Sequence, residues 1–228
     1  MQEVDLIRRG MRTPRAAAIA GIIFSLLLIT SMLLIRTSIP ANPMAAATDA
    51  FNNSKRISLA LDLLPFAGIA FLWFVGVLRD RLGKLEDRFL ATVFFGSALL
   101  FLSMIFVAGS IAGGIIRLVG SGFENLIGSG PYALGRIEIY QAMHMYAIKM
   151  AGVFMIATST IAVQTGIIPR WMAYLGFALA LMLLLIVETI EWVLLVFPLW
   201  VLAISVYILI DNFRAASGAA APWAAGRQ

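Results

Sequence analysis

Long runs of apolar residues, broken by short polar segments, repeat along the whole chain. A run of about 18 or more apolar residues is long enough for a helix to cross the hydrocarbon of a bilayer. The third run is longer than a bilayer requires, so its helix must tilt or project beyond the membrane. We therefore predict an all-α integral membrane bundle of about six transmembrane helices, at about 16–36, 57–78, 89–116, 138–163, 171–188 and 193–210.

The last two predicted spans come from one apolar run, 171–210. A single helix over this run would be about 60 Å long, twice the thickness of the hydrocarbon. The run must therefore break. The polar sequence "ETIEW" (188–192) is the expected position, and Pro198 is the second candidate because proline is tolerated in the first turn of a helix.

Composition supports a membrane protein, since 61% of the 228 residues are hydrophobic and 13% are charged. A soluble domain carries about a quarter of its residues as charges. The chain has no cysteine, which excludes disulfides, thiolate metal sites and cysteine nucleophiles. It also has no HExxH, GxSxG or P-loop motif. We expect no enzyme activity, no cofactor and no metal site.

The basic residues predict the orientation of the chain. With both termini in the cytoplasm, eleven basic residues lie on the inner side and five on the outer side, as the positive-inside rule requires. The +5 net charge therefore reflects topology rather than nucleic-acid binding. The predicted organisation is a basic cytoplasmic N-terminus (1–15), one transmembrane domain (16–210) and a cytoplasmic tail (211–228). The loops 37–56 and 117–137 are too short to hold a soluble domain.

Five ionisable residues fall within or beside the predicted spans. Such groups are costly in lipid and usually have a partner or a water-filled cavity. Lys149 lies nearest the membrane centre, and the others lie in the outer third. We expect Lys149 to pair with Glu188 first or Asp62 second, since both acids lie on the side toward which a lysine side chain extends. The pair either fixes the helix register or belongs to a proton or ion relay. The full set is Asp62, His144, Lys149, Glu188 and Glu191.

His144 and Lys149 are five positions apart in "YQAMHMYAIKM" (140–150). At about 100° per residue on an α-helix they point about 140° apart, so they face different neighbours. Met143, His144 and Met145 are soft ligands of the kind copper(I) prefers, but three consecutive helical residues cannot converge on one ion. We therefore interpret His144 as an interfacial side chain. Glu191 is interpreted as marking a wet turn at the membrane surface.

Small residues at helical spacing predict how the helices pack, because lipid provides no hydrophobic drive for helices to associate. Gly109 and Gly113 form a GxxxG motif in the third span, and Ala147 and Ala151 repeat this spacing in the fourth. Gly152 lies beside Lys149, which indicates that this face packs against another helix. We expect these faces to pack within the bundle rather than between subunits.

Two segments resemble each other: "PRAAAIAG" (14–21) and "PRWMAYLG" (169–176) share Pro-Arg, an alanine and a glycine at equal spacing. Duplication of a helical hairpin, as in transporter folds, would explain the likeness. Convergence explains it more simply, because proline suits the start of a helix and arginine suits the cytoplasmic interface.

Four segments of the chain carry packing and topology motifs, namely "LLPFAGIAFLWFVGVLRDRLG" (63–83), "EDRFLATVFFGSALLF" (86–101), "TGIIPRWMAYLGFALAL" (165–181) and "VFPLWVLAISVYIL" (196–209). In these segments the chain resembles a group of uncharacterised multi-pass membrane proteins common in actinobacteria and some other bacteria. The resemblance covers most of the chain and implies a location in the bacterial plasma membrane. It carries no activity over to this chain.

The sequence favours a small non-enzymatic membrane protein that serves as an accessory or structural subunit of a larger membrane or envelope complex. Its expected partners are the lipid bilayer and other membrane proteins or a second copy of the chain, with no nucleic acid. The alternative is a small-solute or ion transporter that couples to protons through Asp62, Lys149 and Glu188.

Exchanging the charges of Lys149 and Glu188 separates the two interpretations of their pairing. If the pair only fixes the register, Lys149→Glu alone should reduce the yield of folded protein, because it places two carboxylates together in lipid. The double exchange should then restore both the yield in detergent and the complementation of a deletion strain. A double variant that folds normally but does not complement would indicate a relay instead.

Overall fold

The computed structural model describes residues 2–38, 54–82, 88–121, 129–166, 168–185 and 191–219, and every regular element within them is a helix. The described residues form seven α-helices, one π-helix and one 3₁₀ helix. In chain order they are α1 Gln2–Ser38, α2 Ser54–Leu82, α3 Arg88–Gly120, α4 Gly130–Tyr140, the π-helix Gln141–Ala147, α5 Ile148–Thr165, α6 Arg170–Leu185, the 3₁₀ helix Glu191–Leu195 and α7 Val196–Ala219.

Within the described residues, five helical stretches are long and apolar enough to cross a membrane. The all-α class is therefore confirmed for this part of the chain, and the five stretches are consistent with the predicted membrane character. The described part of α6 has 16 residues, which corresponds to about 24 Å and falls short of this length. The five stretches are Arg15–Ser38, Ser54–Arg79, Arg88–Gly120, Gly130–Thr165 and Trp192–Arg214.

The helices extend beyond the predicted spans at several ends. α1 begins at Gln2, so the predicted cytoplasmic N-terminus is helical from there onward. The predicted loop 117–137 is helical at both ends, because α3 runs to Gly120 and α4 begins at Gly130, and its residues 122–128 lie outside the described residues. The start of α4 has a local cause. The Ser129 hydroxyl accepts a hydrogen bond from the Tyr132 N–H at 3.4 Å, and a proline follows in the first turn, where its missing N–H costs nothing.

The last apolar run is interrupted, as its length requires. A 3₁₀ helix occupies Glu191–Leu195 and α7 begins at Val196. Pro198 therefore lies in the first turn of α7, where proline is tolerated. Residues 186–190, which contain most of the predicted break, lie outside the described residues.

Helix α1 lies between α2 and α7, and its contacts with these two helices are the most extensive in the bundle. α3 packs against α2 on one side and against α5 on the other, and α5 packs against α6. Glycines permit the closest approaches. A Cβ on Gly21 would overlap Ser205 Oγ of α7, and one on Gly176 would overlap Ser159 Oγ of α5. These two glycines end the similar segments 14–21 and 169–176.

Phenylalanine rings from five helices fill the centre of the bundle. Phe71 of α2 lies in the middle, and its ring centroid is 4.6 Å from Phe24 of α1 and 5.5 Å from Phe101 of α3. Phe154 of α5 and Phe197 of α7 complete the group at 5.5 and 5.8 Å. Tilted and edge-on arrangements predominate, as the quadrupoles of aromatic rings favour. All five rings are buried, so this cluster joins α1, α2, α3, α5 and α7.

Replacing Phe71 by alanine should lower the stability of the bundle strongly, by about 3–5 kcal/mol for a buried phenylalanine. Phe66 is the matched control on the same helix, because its side chain is 62% exposed. We expect Phe71→Ala to lower the midpoint of thermal unfolding in detergent and Phe66→Ala to leave it nearly unchanged. Equal midpoints for the two variants would show that the ring cluster does not hold the helices together.

Candidate functional site

A cavity of about 420 Å³ lies between the end of α1, the start of α2, the second half of α3, α4 and the 3₁₀ helix. We call it the amphiphilic cavity, because apolar walls and polar side chains both line it. Its volume falls within the range of about 300–1,000 Å³ typical of small-molecule sites. Its apolar walls include Ile57, Leu61, Leu64, Ile105, Ala108 and Ile115, and its polar or aromatic lining includes Arg36, Tyr132, Arg136, Tyr140, His144 and Trp192.

The charged groups among the described residues that line the amphiphilic cavity are basic. Among its described lining residues, Arg36, Arg136 and His144 are the ionisable groups other than tyrosine, and none is a carboxylate. The Arg36 guanidinium lies 4.5 Å from the centroid of the Trp192 ring, and that of Arg136 lies 6.0 Å from the Tyr132 ring. Aromatic faces attract cations at these distances. The rings therefore help to place both guanidinium groups at the cavity.

A π-helix over Gln141–Ala147 forms part of the cavity wall. Its wider turn is visible where the Ile148 N–H donates to the Met143 carbonyl, five residues earlier. The prediction of 100° per residue across this stretch was therefore wrong. Met143 and His144 are consecutive, yet both line the cavity. π-helical turns are rare and occur frequently at functional sites.

His144 is held against the turn before it. Its ring stacks on Tyr140, with centroids 4.2 Å apart and an interplanar angle of 14°. Its Nδ1 lies 3.3 Å from the Tyr140 carbonyl oxygen. The side chain is half-buried, and these two contacts orient the imidazole along the cavity wall.

A second space of about 520 Å³ lies between α2 and α3, and we call it the α2–α3 cleft. Asp62 and Arg117 both line it, so the cleft holds one acidic and one basic side chain. The cleft is more polar than the amphiphilic cavity, with serines on both helices. Its lining is Ser58, Leu61, Asp62, Leu64, Pro65, Phe106, Gly109, Ser110, Gly113, Gly114, Ile116 and Arg117.

The ionisable residues singled out from the sequence lie in different places. Asp62 lines the α2–α3 cleft, His144 lines the amphiphilic cavity, and Lys149 of α5 lines neither space. Glu188 lies outside the described residues. Glu191 begins the 3₁₀ helix, but its side chain is also outside the described part. Within the described residues, no group of three histidine or carboxylate side chains could hold a metal ion.

Lys149 is half-buried and lies one turn before Gly152. A Cβ on Gly152 would lie 3.2 Å from the Ala180 carbonyl oxygen and 3.1 Å from Leu184 Cγ, so this turn of α5 packs directly on α6. Because α5 and α6 are antiparallel neighbours, Lys149 lies level with the described end of α6 at Leu185. The predicted partner, Glu188, follows three positions later in the sequence, outside the described residues.

The remaining packing residues face into the bundle. A Cβ on Gly109 would lie 3.0 Å from Leu64 Cδ1, and one on Gly113 would lie 3.8 Å from Leu61 Cδ1. The GxxxG motif of α3 therefore faces α2. Ala147 and Ala151 are both buried in the core.

The apolar pattern does not predict the lining of the amphiphilic cavity, and its arginines are predicted only as markers of topology. The sequence nevertheless contains a repeat that indicates this lining. Tyr132, Arg136, Tyr140 and His144 recur at every fourth position, and all four line the cavity. Residues four apart lie on one face of a helix, so this stripe could have been recognised as a polar and aromatic surface.

No protein-family model, no curated protein and no solved structure matches this chain. Any function must therefore be argued from the geometry of the two spaces themselves.

Proposed function

We propose that this chain is a non-enzymatic multi-pass membrane protein that binds an anionic amphiphile, a molecule with an apolar chain and one acidic head group, in the amphiphilic cavity. The observation that carries the proposal is the combination of apolar walls with basic side chains in one space. An apolar ligand alone would leave the guanidinium groups without a function there. A polar ligand alone would leave the walls exposed to water.

The head group would bind at Arg136. A guanidinium donates two parallel hydrogen bonds to a carboxylate or phosphate, and such bonds are stronger than neutral ones. Low-dielectric walls strengthen the interaction further. Arg36 and His144 lie on the same cavity and add to its basic character. Ile57, Leu64 and the other apolar side chains of the wall would contact the chain of the ligand.

The same proposal includes the topology and location of the chain. We infer six spans, with α6 as part of the fifth, both termini in the cytoplasm, and residence in a bacterial plasma membrane. The asymmetry of the basic residues supports the orientation, and the resemblance to the actinobacterial group supports the location. In this orientation Arg36 and Arg136 lie at the outer side, where they could meet the head groups of the outer leaflet.

The role as an accessory subunit of a larger complex stays a prediction, and ligand binding would give such a subunit a specific task. The alternative of a proton-coupled transporter finds less support. Asp62 and Lys149 line no common space in the described part of the chain, whereas a relay requires connected groups.

Ligand binding can be measured with dansylamino-undecanoic acid, a fluorescent fatty acid, and protein in phosphatidylcholine nanodiscs. Trp192 lines the cavity, so excitation of tryptophan should transfer energy to a bound dansyl group. We expect saturable transfer that oleate displaces. Arg136→Gln should weaken binding by about tenfold, the loss expected for one charge-assisted hydrogen bond.

The control for this measurement is Arg170→Gln, since Arg170 begins α6, is exposed and lines neither space. The methyl ester of the probe tests the requirement for charge and should bind no better to wild type than to Arg136→Gln. Equal affinity of the acid for both arginine variants would contradict the proposal. Purification of the protein in mild detergent also tests the accessory role, because a stoichiometric protein partner should co-purify with it.

Topology can be tested with single cysteines in the cysteine-free chain. Cysteines replacing Arg56 and Arg214 should be labelled from opposite sides of intact spheroplasts, with Arg56→Cys reacting from outside with a membrane-impermeant maleimide. Arg214→Cys should react only after lysis. The reverse pattern would invert the proposed orientation, and labelling of both from outside would overturn the six-span count.

A further inference from the structure

The amphiphilic cavity and the α2–α3 cleft share one thin wall. Four residues line both spaces, namely Leu61 and Leu64 of α2 and Gly109 and Ile116 of α3. We call this wall the seam. No other layer of the bundle separates the two spaces at these positions, so the shape of these side chains decides whether the spaces connect.

The glycines of α3 make the seam thin. A Cβ on Gly109 would already lie 3.0 Å from Leu64 Cδ1, and Gly113 faces Leu61 Cδ1 in the same way at 3.8 Å. The barrier opposite the glycines therefore consists of leucine side-chain ends rather than backbone. Leucine side chains exchange between staggered rotamers, so this barrier can open without moving a helix.

One turn deeper in the membrane, the same two helices close completely. A Cβ on Gly68 would overlap the Phe106 ring, and it would lie 3.0 Å from Leu102 Cδ1. Phe106 also forms part of the lining of the cleft. The α2–α3 interface is therefore tightly packed at Gly68, whereas at the seam the barrier consists of leucine side-chain ends.

Pro65 weakens the backbone hydrogen bonding of α2 at the level of the seam. It lies inside the helix and lines the cleft. Because proline has no N–H, the Leu61 carbonyl lacks its usual donor four residues later. The helix carrying both leucines of the seam is thus weakened at that turn.

We infer that the seam is a lateral portal through which the apolar chain of an amphiphile passes from the bilayer into the amphiphilic cavity. This inference rests on the proposed function. Phe66 and Leu59, on the same part of α2, are 62% and 53% exposed, so they present an apolar surface where lipid chains can approach the cleft. The occupant is the anionic amphiphile already proposed, drawn from the surrounding lipid.

The charges indicate that the cleft is a passage and the cavity the destination. In the cleft, the basic Arg117 is accompanied by the acidic Asp62. An anionic head group is therefore attracted to the cleft only weakly. The described lining of the cavity has Arg36, Arg136 and His144 without a carboxylate. A head group that moves from Arg117 to Arg136 therefore leaves a cleft with one acidic and one basic side chain and enters a cavity whose described charged residues are basic.

The test measures the rate of exchange of dansylamino-undecanoic acid in phosphatidylcholine nanodiscs by stopped-flow energy transfer from tryptophan. Gly113 lines the cleft but not the cavity. Gly113→Leu should therefore slow association and dissociation equally, by about tenfold or more, and leave the Kd unchanged. Leu61→Ala should widen the seam and accelerate exchange, which keeps the test valid if Gly113→Leu folds poorly.

Gly96→Leu on the same helix is the control, because nothing lies within 4 Å of a Cβ built there. It should exchange the probe at the wild-type rate. If wild type binds the probe but Gly113→Leu and Leu61→Ala both exchange at the wild-type rate, the portal is overturned while the binding site stands. If wild type shows no saturable binding, the proposed function itself fails.

Discussion

In hydrocarbon, each backbone N–H and C=O must find its partner within the protein. This constraint explains why every regular element within the described residues is a helix, and it makes departures from the α-helix informative. Three such departures occur around the candidate site. Pro65 interrupts the hydrogen bonding of α2 at the cleft, the π-helix Gln141–Ala147 carries His144 to the cavity, and the 3₁₀ helix Glu191–Leu195 contributes Trp192. These three irregularities therefore lie beside the two open spaces of the bundle.

The bundle thus has two halves with different packing. Around Phe71, rings from five helices fill the interior, and Gly21 and Gly176 bring neighbouring helices into direct contact. Toward the ends of α1 and α3, the interior instead contains the amphiphilic cavity and the cleft. Close packing and open space therefore lie at different levels of the same helices.

Much of the fold followed from hydrophobic patterning alone. The long apolar runs predicted the helical class, and five of them correspond to helices of membrane-spanning length. Helix ends were less predictable, because they depend on local capping such as that of Ser129, which begins α4 inside a predicted loop. The π-helix had no signal at all, since its seven residues are ordinary components of an α-helix.

The site was harder to predict than the fold. A sequence shows at which level a charged residue lies, but not which helix stands opposite. The predicted pairing of Lys149 with Asp62 as second choice rests on the direction in which a lysine side chain extends, whereas Asp62 lines the cleft between α2 and α3 and the turn after Lys149 packs on α6. Arg136 was regarded as a loop charge because α4 was not recognised as a helix. Once α4 is in place, the four-residue repeat from Tyr132 to His144 becomes a continuous stripe along the cavity.

The length of α3 has a mechanical consequence. Its 33 residues correspond to about 50 Å, against about 30 Å of hydrocarbon. A helix this long adapts to the local thickness of the bilayer by tilting, and the angle changes as the membrane thins or thickens. α3 also forms one wall of the cleft. In a bilayer, hydrophobic mismatch would therefore change the angle at which α3 crosses α2. The width of the cleft would then depend on the lipid composition of the membrane.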